Sequence, residues 1–340
     1  MIAICSSSSS PSLIDLSSFT SSSGLTYNGR VGALVPIGGS NPLRMNNGAG
    51  RSDFGYFEVS TVYTTNPITF PSDMSFSTYF QFKIYDNVGI NDPDPSDNTP
   101  GADGIMFIIQ DNDKTSIPPT SFGYKDLPRS FGVEIDTFMD NGIDPGDGNH
   151  IGFNYASNIQ SYSTHKSTTR FNNGQVWYVW IDYNGGSKTI EVRVSQTSIR
   201  PQDYFWKDTN TGILSQVGRN IAYVGFGASV TTSGSTQEIL KWKFRTGYNP
   251  YYETGCDVGY YYNGISCLQC PNGTYQDEQN SNCCKSCPIN TTSDIGSTSI
   301  SNCYCSLLDL CQGSFLLFIF LASFFFFRFT INQVLTSIYI

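Results

Sequence analysis

The sequence predicts an all-β protein, in which an antiparallel β-sandwich of the jelly-roll kind is followed by a small disulfide-rich module. Charged residues make up only 14% of the 340 residues, whereas Gly, Ser, Thr, Tyr and Phe are plentiful, as expected for strands joined by tight turns. No segment has a clear helical period. Nine of the ten cysteines lie between Cys256 and Cys311, which marks a domain boundary after the β-rich part.

Alternation of apolar and polar residues identifies strands of the sandwich. Residues 74–84 alternate with period two, so the side chains of Phe76, Phe80 and Phe82 point to one face. Residues 189–195 repeat the pattern. Many such segments separated by turn signals favour two packed antiparallel sheets, and we expect these aromatic side chains to form the core between them rather than a ligand site.

The stretch from Glu134 to Gly152 concentrates oxygen ligands and one of the two histidines. Strand alternation over residues 129–137 places Glu134 and Asp136 on the same face, roughly 7 Å apart along the strand. Two such carboxylates repel each other, and an apolar flank raises their pKa values. Because a cation removes this penalty, the segment predicts a metal site.

The loop after this strand offers further ligands. It carries Asp140, Asn141, Asp144 and Asp147 among turn-forming residues, and it ends at His150. Calcium prefers six to eight oxygen ligands, whereas a neutral imidazole suits manganese, zinc or another transition ion. The mixture predicts two neighbouring metal ions. The alternative is an acidic surface turn followed by a solvated histidine.

The order of these residues resembles the metal-binding loop of the legume-type (L-type) lectins, which reads V-E-F-D-T-F-x-N, then D-P, then H-I-G. Further segments are similar to the family's A-D-G, V-W-I-x-Y, V-G-F-S-A and L-x-W-x-F motifs, in the family's order, at residues 101–107, 176–183, 223–229 and 238–244. The resemblance covers roughly residues 14–246. It implies a concanavalin-like jelly roll that binds carbohydrate and depends on metal ions.

The resemblance also implies a ligand set for each ion. Glu134, Asp136, Asp144 and His150 would hold the transition ion, which is Mn²⁺ in this interpretation. Asp136, the carbonyl oxygen of Phe138, an asparagine-like side chain and Asp144 would hold Ca²⁺.

The position of that asparagine is open. Counting forward from Phe138 places it at Asp140, and counting backward from Asp144 places it at Asn141. We predict Asn141, because an amide can bind calcium through its oxygen and donate an N–H to a sugar, whereas a carboxylate can only accept.

By the same resemblance, Asp103 follows a cis peptide bond and accepts hydrogen bonds from sugar hydroxyls, while Gly123 offers its backbone N–H. Phe138 would stack on the sugar ring, with Tyr124 and Tyr155 as alternatives.

The last loop, which begins at Ser229, adds hydroxyl groups to the predicted sugar site. It contains no residue that identifies a particular sugar. The expected partners are therefore glycans or glycoproteins of unspecified type.

Two other functions are compatible with parts of the sequence. The triplet from Glu134 to Asp136 also resembles the E-I-D-x-(x)-E active-site strand of β-jelly-roll glycoside hydrolases, which need a second carboxyl about 5–5.5 Å from the first. Positions 138 and 139 hold Phe138 and Met139 instead, so we predict that the protein is not an enzyme. The remaining alternative is a structural surface protein with a lectin-like domain that binds no sugar.

The charge of the chain limits its partners. A net charge of −9 and a pI near 4.6 argue against nucleic acid, because phosphate binding needs clustered Lys and Arg. Part of the acidity lies in the loop that precedes Asp103, which includes Asp92 and Asp94. We interpret this loop as solvated, with an accessory calcium site as the alternative. Oligomerisation stays open.

Residues 255–311 form the predicted disulfide module. The motifs Cys267–Cys270 and Cys284–Cys287 are two copies of a short unit, seventeen residues apart, and could form a zinc ribbon in a cytosolic protein. Additional cysteines and sequons at Asn272 and Asn290 favour an oxidising, glycosylating compartment instead. The segment resembles growth-factor-receptor-like cysteine-rich repeats of extracellular and ciliate surface proteins. With nine cysteines, one thiol is left over or pairs outside the module.

The two ends suggest a secretory-pathway, cell-surface or endomembrane protein. Residues 1–13 are a candidate leader, although they are shorter and less charged than a typical signal peptide. Residues 314–340 begin with a hydrophobic run that we interpret as a C-terminal membrane attachment, either a single span or a lipid-anchor signal, with a low-complexity tail as the alternative.

Overall fold

The computed structural model describes residues 13–20, 23–29, 42–48, 58–96, 98–111, 121–144, 146–156, 158–252, 255–263 and 266–305. The chain divides into two compact units, the first ending at Tyr251 and the second beginning at Tyr252.

The regular secondary structure in the described part of the first unit consists almost entirely of β-strands. In chain order these are β1 (Ile14–Leu16), β2 (Leu25–Gly29), β3 (Leu43–Asn46), β4 (Glu58–Thr64), β5 (Ile68–Thr69), β6 (Phe76–Gly89), β7 (Gly104–Gln110), β8 (Ser130–Asp136), β9 (His150–Tyr155), β10 (Ser163–Lys166), β11 (Val176–Asn184), β12 (Thr189–Ser195), β13 (Trp206–Thr209), β14 (Ile221–Val230) and β15 (Ser233–Thr246). A short helix, α1 (Ile213–Val217), precedes β14.

These strands form two antiparallel sheets. The back sheet has the order β1-β15-β6-β11-β12-β13, with β3 also paired to β15. The front sheet has the order β10-β9-β8-β7-β14-β4-β2, with β5 also paired to β14. Sequence neighbours are often separated in the sheets, as in a jelly roll, so the predicted all-β sandwich fold is confirmed.

The core lies between the two sheets and is rich in aromatic side chains. Phe76, Phe80 and Phe82, which alternation assigned to one face of β6, are all buried in it. From the front sheet, Phe226 packs edge-on against Phe80 at 5.0 Å and against Trp242 at 4.9 Å between ring centroids. Because β6 and β15 belong to the back sheet, Phe226 links the two sheets directly.

The register of the front sheet brings distant residues to one end of it. Gly104 at the start of β7 is paired with Asp136 at the end of β8 and with Ser229 near the end of β14. Asp136 is also paired with His150 at the start of β9. The residues that the sequence motifs single out therefore lie at the same end of the front sheet.

The second unit contains short hairpins joined by disulfides. Its described strands are β16 (Tyr260–Tyr262), β17 (Cys267–Gln269), β18 (Thr274–Tyr275), β19 (Lys285–Ser286), β20 (Thr291–Thr292) and β21 (Tyr304–Cys305), with a 3₁₀ helix at Ile300–Asn302.

The disulfides of this unit are Cys256–Cys267, Cys270–Cys284 and Cys287–Cys303, and Cys283 and Cys305 are also disulfide-bonded. Each C-x₂-C pair is thus split between different disulfides, which rules out the zinc-ribbon alternative for these motifs. Among the described residues no cysteine is free. Cys311 lies outside them, and so do residues 1–12 of the candidate leader (1–13) and the tail at 314–340. No helix in the described ranges has the length and apolar character to cross a bilayer.

We predict that Phe226→Ala destabilises the sandwich by about 3–5 kcal/mol, because it leaves a cavity between the two sheets. Urea unfolding of the variant would measure the loss. Ile221→Ala is a matched control on the same strand, since Ile221 is 41% exposed and its truncation should change stability by less than about 1 kcal/mol. Equal losses in the two variants would contradict this role of Phe226.

Candidate functional site

Three ionisable side chains meet at the end of the front sheet defined above. Glu134 and Asp136 project from the same face of β8, and His150 starts β9 beside Asp136. One ligand atom from each lies within 4.8 Å of the others, and all three residues are buried. The predicted carboxylate pair and histidine are therefore brought together in the geometry of a candidate metal site.

Hydrogen bonds orient the imidazole of His150. Its Nδ1 lies 3.1 Å from Oδ1 of Asp147, and its Nε2 lies 3.2 Å from Oε1 of Glu134. A histidine that binds a metal commonly donates its other N–H to a carboxylate, which fixes the ring and the tautomer. In the ion-free protein Nε2–H can donate to Glu134; if Nε2 releases this proton while Nδ1–H stays donated to Asp147, its lone pair is free to bind an ion beside Glu134.

The electrostatics of the cluster favour a cation. Burial and the charge of Asp144 raise the pKa of Asp136 well above its usual value, and burial raises the pKa of Asp144 to about 7. Burial lowers the pKa of His150, but hydrogen bonds to Asp147 and Glu134 outweigh this effect and raise it to about 11. The cluster thus offers oxygen and nitrogen ligands and carries net negative charge. Both properties suit a divalent ion.

The loop between β8 and β9 folds back over this cluster. The backbone N–H of Phe138 donates to Oδ1 of Asp136 at 2.8 Å, and the N–H of Asp140 donates to Asp144. Asp140 and Asp144 line the cavity above the cluster, whereas Asn141 is exposed and is not part of the lining. The structure therefore brings Asp140 to the site, while the role assigned to Asn141 stays a prediction.

A cavity of about 160 Å³ opens next to the cluster, and Asp103 lies on its wall. The Ala102–Asp103 peptide bond is cis, as the resemblance implied. The carboxylate of Asp103 accepts hydrogen bonds from the hydroxyls of Ser229 at 2.5 Å and Thr231 at 3.1 Å. Burial raises the pKa of Asp103 to about 6. Its position is thus set by residues of the last loop.

Three further residues assigned to sugar binding do not line this cavity. Ser229 is buried, and its hydroxyl accepts from the N–H of Phe122 at 2.9 Å while it donates to Asp103. Gly123 is buried in a left-handed turn at Ser121–Tyr124, and a Cβ added there would lie 2.4 Å from Cγ2 of Thr61. Phe138 is also buried. Their direct contact with a ligand remains a prediction.

The alternatives for ring stacking differ in exposure. Tyr124 is completely buried in a small core cluster, so its ring is closed to a ligand. Tyr155 is partly buried and packs against Phe131 and Tyr162.

Some lining residues were not identified from the sequence. Met106, Ile143 and Ile159 give the cavity an apolar side. Ser161, which lies in the loop between β9 and β10, donates a hydrogen bond to Glu134 on β8. The alternation of residues in the strand predicted Glu134 as a site residue. No local sequence pattern predicted the contact between Ser161 and Glu134.

The loop before Asp103 is exposed at positions 91, 93, 95 and 96, as predicted, but the prediction that it is solvated is wrong for two of its aspartates. Asp92 and Asp94 are only 1% and 2% exposed. Their carboxylates accept hydrogen bonds from the loop between β8 and β9, which excludes them from water.

Comparison with known families gives two matches. Residues 18–254 match the family described as "Legume lectin domain". Residues 259–303 match the family described as "Tyrosine-protein kinase ephrin type A/B receptor-like", which coincides with the disulfide-rich unit.

Individual relatives agree with the first match. The lectin-like protein At1g53060 of Arabidopsis thaliana is 29% identical over an alignment of 205 positions, and the match covers 53% of this chain and 81% of the relative. The probable L-type lectin-domain containing receptor kinase S.7 of the same plant is 30% identical over 205 residues, covering 55% of this chain but only 29% of the kinase. The solved structure of lectin I-B4 from Griffonia simplicifolia in its metal-free form has a TM-score of 0.53 at 21% identity, and covers 69% of this chain and 99% of that one.

We predict that the free energy of unfolding of the ion-free protein falls as pH rises from about 5 to about 8. The pKa values of Asp103 and Asp144 are raised to about 6 and about 7, so the folded state keeps protons that the unfolded state has released. This stability is complete below the ordinary carboxyl pKa and is lost as pH rises through the raised values. Urea midpoints of chelator-treated protein would measure it.

Asp144→Asn provides the control for this pH dependence: the amide cannot titrate, so the slope should decrease and leave the part that Asp103 contributes. Saturating divalent ions should flatten it as well, because they keep the carboxylates ionised in the folded state. A stability that rises with pH over this window would contradict the assignment.

Proposed function

Because the chain belongs to the legume lectin domain family, we propose that its β-sandwich binds glycans or glycoproteins at a cavity that divalent ions organise. The observation that carries this proposal is the shared cavity wall of Asp103 and the Glu134–Asp136 pair. A hydrogen-bonding carboxylate next to a candidate ion cluster, beside apolar side chains, is a suitable surface for a sugar, which has hydroxyls on its rim and C–H groups on its ring faces.

Two ions are proposed for the site. Glu134, Asp136, Asp144 and His150 would hold Mn²⁺. Asp136, the Phe138 carbonyl oxygen, Asp144 and either Asp140 or Asn141 would hold Ca²⁺. The bound ions would supply positive charge that keeps the buried carboxylates ionised and holds the loop between β8 and β9 in one conformation. The raised pKa values of Asp136 and Asp144 support this need for positive charge.

Asp103 is the proposed main acceptor for sugar hydroxyls. A carboxylate has about four lone-pair positions, so Asp103 can bind Ser229 and Thr231 and still accept from a ligand. Its two hydroxyl partners hold the carboxylate in one orientation before the ligand arrives, which reduces the entropy lost on binding. Gly123, Asn141 and a stacking ring at Phe138 are proposed as further contacts.

We also propose that the site has no hydrolase activity. In the glycoside hydrolase motif the second carboxylate would stand at position 138 or 139. These positions hold Phe138, whose side chain is buried, and Met139, whose N–H donates to Asp92. Incubation with β-glucans should therefore yield no new reducing ends.

The disulfide-rich unit supports a place in the secretory pathway or at the cell surface. Its disulfides suit an oxidising compartment, and the sequon residues Asn272 and Asn290 are both exposed. We propose that both asparagines are glycosylated. Membrane attachment through residues 314–340 and oligomerisation also remain proposals.

We expect a glycan array to detect sugar binding with Ca²⁺ and Mn²⁺ present, and to lose it after treatment with a chelator. Individual sites should be weak and gain strength from clustering. Binding that survives complete ion removal would contradict ion dependence. An absence of binding under every condition would favour the structural, non-binding alternative.

A second prediction is that Asp103→Asn weakens sugar binding about 10- to 100-fold, because the charged acceptor is lost. Ion binding and the unfolding temperature should change little, since the substitution keeps the side-chain shape. Asp126→Asn is a matched control, as Asp126 is exposed and does not line the cavity. Sugar titration calorimetry would measure both variants, and unchanged affinity in Asp103→Asn would reject Asp103 as the acceptor.

A further inference from the structure

Two carboxylates outside the proposed ligand set are buried next to the site. Asp92 and Asp94 belong to the segment 91–96, which we name the anchor loop, and both are almost inaccessible to solvent. Buried carboxylates are unfavourable unless they are paired and hydrogen-bonded. Their partners therefore indicate what the anchor loop holds.

Asp92 contacts the start of the loop between β8 and β9, which we name the ion loop. Its Oδ1 accepts from the backbone N–H of Met139 at 3.2 Å and from that of Asp94 at 2.9 Å. Its Oδ2 lies 3.4 Å from Nη1 of Arg170. Each oxygen of this buried carboxylate thus has a partner.

Asp94 contacts the other end of the ion loop. Its Oδ2 accepts from the N–H of Gly148 at 3.2 Å and from Lys166 at 3.1 Å, and its Oδ1 accepts from the N–H of Ser96 at 2.8 Å. A Cβ at position 148 would lie 2.2 Å from Oδ2 of Asp92. Only glycine therefore allows the ion loop to approach the anchor loop so closely.

These contacts lie at both ends of the ion loop. Met139 follows Asp136 by three residues, and Gly148 precedes His150 by two. Between these points the ion loop carries Asp140 and Asp144. The anchor loop thus fixes the two ends from which the proposed ligands project.

The same network reaches the backbone of Asp103, the proposed acceptor for sugar hydroxyls. Arg170, which faces Asp92, donates through Nη2 to the carbonyl oxygen of Thr137 at 3.1 Å. Thr137 in turn donates its backbone N–H to the carbonyl oxygen of Asp103 at 2.9 Å. One chain of hydrogen bonds therefore connects the anchor loop to the ion loop and to Asp103.

We propose that Asp92 and Asp94 are positioning residues that clamp both ends of the ion loop and thereby set its affinity for divalent ions. The inference rests on the proposed ion site, but the clamp is a separate property of residues outside the proposed ligand set. A loop held in its binding conformation loses less entropy when the ion binds. Outer-shell partners of this kind typically change metal affinity about 10- to 100-fold when they are removed.

Asp94→Ala is the most informative variant, because it frees Gly148 while leaving Lys166 at an already half-exposed position. We expect it to weaken Mn²⁺ binding about 10- to 100-fold in a titration followed by electron paramagnetic resonance. The backbone N–H of Gly148 should also lose its protection from hydrogen exchange in the ion-free protein. Asp94→Asn keeps an acceptor for that N–H, so it should restore part of both properties.

Asp111→Asn is the matched control. Asp111 is a buried aspartate just beyond the opposite end of β7, where it forms ion pairs with Arg129 at 3.1 Å and Arg219 at 2.8 Å. Its substitution should lower stability without changing Mn²⁺ affinity or Gly148 exchange. Mn²⁺ affinity of Asp94→Ala within about twofold of the unchanged chain would overturn the proposal. Equal weakening by Asp111→Asn would overturn it too, since the effect would then be general destabilisation.

The exchange measurement separates this proposal from the proposed function. If the unchanged chain bound neither Mn²⁺ nor sugar, the proposed function and the effect on ion affinity would both be rejected. Exchange at Gly148 needs no ligand, and unchanged protection in Asp94→Ala would reject the clamp even if the lectin function were sound.

Discussion

The site depends on the burial of several carboxylates and one imidazole at a single end of the front sheet. Glu134, Asp136 and His150 are buried with ligand atoms within 4.8 Å of one another, and Asp144 adds further negative charge. Like charges in such a place raise carboxyl pKa values and oppose the ionised state. A divalent ion reverses this effect, so ion binding and an ordered ion loop are expected to occur together.

The sandwich can tolerate these buried charges because its stability comes from the apolar core between the sheets. Aromatic rings from both sheets, including those of Phe80, Phe226 and Trp242, form a continuous core away from the charged end. The antiparallel register then fixes which strand ends are neighbours, so Asp103, Asp136 and His150 meet although they are far apart in sequence. The rigid strands thus fix the positions of the site residues, and the loops contribute further proposed ligands and part of the cavity wall.

Local patterns were sufficient to predict the fold and part of the site. Period-two alternation identified strands and the shared face of Glu134 and Asp136, because side-chain direction in a strand depends only on position. The contacts of Ser161 with Glu134 and of Asp94 with Gly148 could not be predicted in this way, since they depend on how loops distant in sequence pack. The disulfide pairing could not be predicted either, because the spacing of the cysteines allows many connectivities.

Crystals grown with Mn²⁺ and measured on both sides of the manganese absorption edge would show directly whether the cluster binds an ion. We expect an anomalous peak bounded by the side chains of Glu134, Asp136 and His150, with Nε2 of His150 directed at the ion. A well-ordered cluster with no peak, in which Nε2 remains hydrogen-bonded to Glu134, would contradict this expectation.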